Sequence, residues 1–354
     1  MLIVLALASA LQAAPVPRVE PELARPDFVA VPAPGCFDFL AADPEDPDTL
    51  FGYSDAPADL HRSDDGGRTW ATLGGLPNGI ASLRVSPTRR STVFATGFGF
   101  YVSSDRGETW ERALTAPPDL NGSLVIDPYS AERLYVASNS FRGGTNVGEL
   151  WFSPDEGAHW ARKENGLPIG QPGSPISGLV ASPHEQGFLL IGTSNGVYGT
   201  RDGGDHWDFL SGEQVLPIGF DAGLADVVWG WYGDSLFLSP DGGSTWEPRT
   251  VDCCPGTGDQ SGLLRIVPDP LTPGGAWALT QAQFPSFFSA YHVLRSVDYG
   301  ATWQWADSGI DGTPPAVLRE LILSADGRRL WVTDCGRSAL FRRELRRVRA
   351  VPPR

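Results

Sequence analysis

The chain has 354 residues, 41% of them apolar, with 42 glycines, 31 prolines and no long amphipathic run, a composition that fits an all-β fold with a real core. Forty-two acidic against 27 basic residues give a formal net charge of −15. A surface this acidic repels phosphate backbones, which excludes nucleic acid as a partner.

In chain order, the first segment, MLIVLALASALQAAP, is an apolar run followed by small residues. It is too short to span a bilayer and has the pattern of a secretory signal, although no basic residues precede the apolar run. Residues 1–14 are therefore read as a signal peptide, 15–27 as a linker, 28–348 as the folded domain and 349–354 as a tail. The expectation is a secreted or periplasmic monomer without a membrane span; a buried N-terminal strand in a cytoplasmic protein is the alternative.

From there one phrase, Ser/Thr-x-Asp-x-Gly-x-x-Trp, occurs six times. Its aspartates are Asp65, Asp105, Asp155, Asp202, Asp241 and Asp298, and its tryptophans Trp70, Trp110, Trp160, Trp207, Trp246 and Trp303. A period of roughly 40 residues with insertions is the mark of a closed repeat architecture. Between the phrases lie short runs rich in β-branched and aromatic residues, bounded by Gly, Pro, Asn or Asp, which read as four strands, a to d, with the phrase in the c–d turn. The chemistry suits a turn: the carboxylate accepts backbone N–H groups, Gly takes positive φ, and the hydroxyl ties the loop to itself. The Trp is expected to start strand d and pack inward, where truncation costs about 3–5 kcal/mol.

Seven such units begin near Cys36, Ile80, Asn121, Ile176, Pro217, Gly262 and Val317. The predicted fold is a seven-bladed β-propeller of four-stranded antiparallel blades, which buries sheet faces against one another. The seventh unit, LRELILSADGRRLWVTDCGRSALFRREL, lacks the phrase and is short of a strand d. The segment Phe28–Pro32 can supply it and close the ring as a clasp. Residues 319–354 hold ten arginines against four acids, +6 within a chain otherwise at −21. They read as a charged edge that discourages strand addition, or as a basic patch for an acidic ligand.

The phrase resembles the BNR or Asp-box repeat, the signature of β-propellers in sialidases, xyloglucanases, sortilin-type receptors and photosystem II assembly factors. That resemblance implies that the boxes are structural and lie on the face opposite the functional one. It leaves function open, because one architecture serves hydrolases and binders alike. No Phe/Tyr-Arg-Ile-Pro motif of the sialidases precedes Asp65; the nearest string, Leu264-Arg-Ile-Val-Pro268, lies in blade 6. The carboxylate in a Gly-Gly turn expected of xyloglucanases is absent from FGYSDAPADLHRS.

If the boxes mark one face, the b–c and d–a loops mark the other. Two b–c loops are long, Ser138–Glu149 in blade 3 and Gln281–His292 in blade 6, and their Phe141, Arg142, Phe284, Phe287, Phe288 and Tyr291 are the candidate binding residues for a protein or glycan. The alternative is that these aromatics pack on each other. The first residues of strand a should face the channel mouth, which places Asp38, Arg265, Arg319 and Glu320 there, with Asp221 in the less regular blade 5. Two carboxylates at such a mouth could act as acid and base on a glycosidic bond, or could pair with the arginines.

The five histidines do not cluster in the sequence, so no metal site is expected, nor any cofactor. Cys36, Cys253, Cys254 and Cys335 form no C-x-x-C pair and read as disulfides, with three possible pairings. If the clasp forms, Cys36 and Cys335 should meet, leaving Cys253 and Cys254 as a vicinal bond or free thiols.

Overall fold

The computed structural model describes residues 27–55, 57–77, 79–113, 117, 120–251, 260–283, 289–310 and 317–345. Their strands form seven four-stranded antiparallel sheets. Blade 1 is typical: Phe39–Ala42 (a), Leu50–Asp55 (b), Ala58–Ser63 (c) and Ala71–Thr72 (d). Strand a of each blade touches strand a of the next, and that of blade 7, Leu318–Leu323, touches that of blade 1. The seven sheets therefore close around a central channel lined by the a strands.

Blade 7 is completed as expected. Val29–Pro32 pairs antiparallel with Ala339–Glu344, from Val29 opposite Arg342 to Pro32 opposite Ala339. The Cys36–Cys335 disulfide joins the two ends beside this seam, with Cα atoms 4.5 Å apart. Arginines of the basic segment hold the same seam: Arg343 donates to the Ala306 carbonyl at 2.5 Å and lies over the Phe28 ring, while Arg329 donates to Asp48 of blade 1 at 2.6 Å.

Each box is a self-contained knot. In blade 1 the Ser63 hydroxyl donates to Asp65 at 2.8 Å and accepts the Gly67 N–H at 2.8 Å. The other Asp65 oxygen accepts the Thr69 hydroxyl at 2.6 Å. Gly67 has φ +90°, and a Cβ there would come within 2.7 Å of Leu340 in blade 7, so the box leans on the preceding blade as well as on itself.

The box tryptophans do not carry the core in the way the phrase suggests. Only Trp207 is fully buried; Trp70, Trp110, Trp160, Trp246 and Trp303 are half-buried at the blade edge. In four of them the indole N–H is returned to the box glycine carbonyl, as from Trp70 to Gly67 at 3.1 Å. The deep positions are on strand b at one shared register: Phe51, Phe94, Tyr135, Leu190, Trp229, Trp277 and Trp331, none more than 1% exposed. Their partners on strand a lie two residues before the a–b turn, at equivalent height in every blade.

The two long b–c connections are hairpin extensions rather than loops. In blade 3, strand b runs Ser130–Arg142 and strand c Thr145–Ser153, leaving only Gly143 and Gly144 as the turn. In blade 6 the ladder likewise continues from Ala276–Gln283 to Ser289–Ser296.

Candidate functional site

The b–c turns and the starts of the a strands share the face opposite the boxes. The blade 3 hairpin stands on this face because its ladder runs past the height of its neighbours. Asn139 fixes it to blade 4, accepting the Ile176 N–H at 2.8 Å and donating to the Ile176 carbonyl at 2.7 Å. Buried Glu149 holds it from within, paired to Arg142 at 3.0 Å and Arg162 at 2.5 Å. Arg142 is therefore partly committed to the hairpin, while Phe141 at its tip is 73% exposed. Tyr291 is half-buried against the core between blades 6 and 7. Phe284, Phe287, Phe288, Cys253 and Cys254 lie outside the described residues.

Two further aromatics stand on this face: Phe98, 61% exposed, in the tight b–c turn of blade 2, and Tyr232, 55% exposed, the last residue of strand b beside the b–c turn of blade 5. Sequence reasoning missed them because it searched the long loops. The signal was present: in Gly97-Phe98-Gly99 the turn residue's side chain cannot reach a blade interior.

At the channel mouth, four of the five candidate charges come together as pairs. Arg319 donates to Asp38 at 2.5 Å, and Arg265 pairs with Glu320. Asp38 also accepts the Asp55 N–H at 2.9 Å, and Asp55 accepts the Tyr53 hydroxyl at 2.9 Å, so the blade 1 side of the mouth is a continuous network. Burial, then the hydrogen bond to Asp55, pushes the Tyr53 hydroxyl far above its usual range, so it stays protonated and keeps its proton to donate. Glu320 sits at an irregularity of strand a where its N–H reaches the Thr333 hydroxyl at 2.9 Å. Burial raises its pKa, against the pull of Arg265.

Asp221 is not at this mouth. It ends strand a of blade 5 on the box face, 1% exposed, and accepts N–H groups from Gly223 at 2.9 Å, Leu224 at 3.1 Å and Gly274 of blade 6 at 2.6 Å. It occupies the a–b turn position held by Asp43 and Ser86 in blades 1 and 2, and its role there is to organise the turn. Among the described residues no group of three or more His, Cys, Asp or Glu side chains is placed to hold a metal, and no helix is long and apolar enough to cross a membrane.

A family model for the BNR/Asp-box repeat matches residues 101–112, the second box. The chain is thus a seven-bladed β-propeller that carries BNR/Asp-box repeats. Proteins it resembles include xyloglucanases and a propeller solved with a bound peptide. A xyloglucanase from a Paenibacillus species is 27% identical over 281 residues, 59% of this chain and 26% of that protein. The crystal structure of the GH74 xyloglucanase from Xanthomonas campestris superposes with TM-score 0.68 at 20% identity, covering 92% of this chain and 55% of that one. The structure of YCF48 bound to D1 peptide superposes with TM-score 0.60 at 17% identity, covering 93% of this chain and 100% of that one. The chain spans between 15% and 32% of the length of the curated relatives it matches.

Proposed function

We propose that the protein is an exported, non-catalytic platform that binds a protein or glycan through the face of its b–c turns. The observation that carries this reading is the contrast on that face. Phe98, Phe141 and Tyr232 stand exposed at or beside the tips of b–c hairpins, whereas Asp38 and Glu320 are each tied to an arginine. Rigid aromatics on short turns are low-entropy contact groups for a sugar ring or a protein surface. A disulfide across the ring seam suits an oxidising compartment, which supports export.

A hydrolytic reading has one observation in its favour. Burial keeps the Glu320 carboxyl more prone to stay protonated, as a general acid requires. One experiment separates the two. The protein is screened for binding to immobilised polysaccharides and a peptide array, and for sugar released from xyloglucan and aryl glycosides. The platform reading expects no turnover, and a loss of about 2 kcal/mol in affinity for each of Phe98→Ala and Phe141→Ala at unchanged melting temperature. Turnover that vanishes in Glu320→Gln would replace it with the hydrolase.

A further inference from the structure

At the level where the strand-b hub residues sit, the channel wall is apolar in six blades: Ala41, Val125, Val180, Gly219, Val267 and Ile322 occupy the equivalent positions of strand a. In blade 2 the position is Arg84, opposite Phe94. A single guanidinium thus stands where the other blades carry an aliphatic side chain or, in blade 5, glycine. Its side chain is exposed, on a strand that lines the channel, and desolvation by the protein atoms around it lowers its pKa. Glu320 and Arg265, on blades 7 and 6, act on it electrostatically. Blade 2 adjoins neither, so this interaction crosses the channel.

Arg84 donates at 2.9 Å to the carbonyl of its own neighbour Leu83, and among the described residues it makes no ion pair. A guanidinium offers five N–H donors, so most of its capacity is unspent. Ser82, two residues away on the same face of the strand, carries a buried hydroxyl with no partner among the described residues. The two carboxylates nearer the mouth, Asp38 and Glu320, are already engaged by Arg319 and Arg265. Along the a strands from the mouth to this level the described charges are Arg84, Arg265 and Arg319 against Asp38 and Glu320, with Asp55 beside them on strand b of blade 1, so Arg84 is the one arginine of the three without an ion pair among the described residues. A cation that lines a narrow channel without a counter-ion is partly desolvated by the surrounding wall, and that low-dielectric wall makes a matching anion worth more than it is in water.

We propose that the channel at Arg84 is a binding site for a small oxyanion, a carboxylate, sulfate or phosphate group that enters from the turn face and takes the free donors of Arg84 with the Ser82 hydroxyl. The site is independent of the aromatic face: it is deep, and it needs neither Phe98 nor Phe141.

The test is calorimetric titration of the whole protein with sodium sulfate and with sodium citrate, at constant ionic strength. Saturable one-to-one binding of either salt is expected, and the preferred salt identifies the kind of group. Arg84→Gln should weaken binding at least tenfold, whereas Arg328→Gln, an exposed arginine on the box face, should leave it unchanged. Glu320→Gln should tighten binding several-fold by removing the competing negative charge. Arg84→Leu should melt no lower than the native protein in anion-free buffer, because it completes the aliphatic ring. Binding that does not saturate, or that Arg84→Gln leaves intact, overturns the proposal. So does marked destabilisation by Arg84→Leu, or weakened binding in Glu320→Gln; either would mark Arg84 as a structural partner of Glu320.

Discussion

Asp105 shows what a box residue contributes. The Thr109 hydroxyl, the Thr109 N–H and the Ser103 hydroxyl all donate to its carboxylate, and its pKa falls to about 2. Asp65 also reaches about 2, where burial pushes upward but the donors from Thr69, Ser63 and Arg68 prevail. A carboxylate with a depressed folded pKa stabilises fully above its unfolded value of 3.8, and the contribution is lost as pH falls through about 2. Thermal melts from neutral pH downward should therefore show Asp105→Asn with a shallower loss of stability over that window than the native protein. A parallel loss in both proteins would mean that the box carboxylate is not linked to folding. The tryptophans rank differently from what the repeated phrase suggests. Trp331 is fully buried and donates to the Gly66 carbonyl at 3.3 Å, whereas Trp110 is half-buried at the blade edge. Trp331→Ala should cost about 3–5 kcal/mol and Trp110→Ala distinctly less, as read from urea midpoints. The box was legible because its residues are the same each time. The strand-b hub was not, because burial accepts Phe, Tyr, Leu or Trp alike and so leaves no repeated letter.

The strands were legible wherever Gly, Pro, Asn or Asp bounded an apolar run, and this located all seven blades and the N-terminal clasp. What failed was the end of each run. Nothing in SNSFRGGTNVGE says that the ladder continues to Arg142 and Thr145, because the hairpin's partners are Glu149 inside and Ile176 of the next blade, both contacts of the folded state. Asp221 was misplaced for a related reason. Its turn reads Asp-Ala-Gly instead of Asp-Pro, so the a–b boundary that identifies Asp43 in blade 1 was hidden in blade 5. Arg84 was overlooked because a lone arginine in Ser-Leu-Arg-Val looks like the exposed half of an alternating strand. Only the register against six other blades shows that its equivalents are aliphatic. The clasp makes its own prediction. Four backbone-paired residues and one disulfide hold the seam, and replacing Cys335 by Ser should cost about 2–5 kcal/mol, measured by urea denaturation with both proteins under non-reducing conditions. A variant as stable as the native protein would leave closure to the strand pairing and the arginines alone.

In a closed ring every blade is covered on both faces, so what matters to the whole molecule is adjacency and not which blade holds the chain ends. The seam already has hairpin geometry: strand c of blade 7 ends at Glu344, and the antiparallel clasp begins at Val29, opposite Arg342. A short glycine-rich linker from Leu345 to Phe28 would turn blade 7 into an ordinary a-to-d blade. New ends can be opened between Gly143 and Gly144, an exposed turn with nothing near either glycine. This circular permutant should fold with a melting temperature close to that of the native order. It should also depend less on the disulfide. In the native order Cys36 and Cys335 close a loop across a separation of 299 residues. In the permutant they would close one of about 20, and on the chain-entropy account the bond would then stabilise by about 2 kcal/mol less. The measurement is a thermodynamic cycle: Cys335→Ser in the native order and in the permutant, each by urea denaturation. A smaller cost in the permutant would show that the disulfide acts by confining the unfolded chain. Equal costs would show that it acts within the folded mouth, where the Cys36 carbonyl accepts the Ser54 hydroxyl at 2.6 Å and Cys36 stands two residues from Asp38 of the Asp38–Arg319 pair.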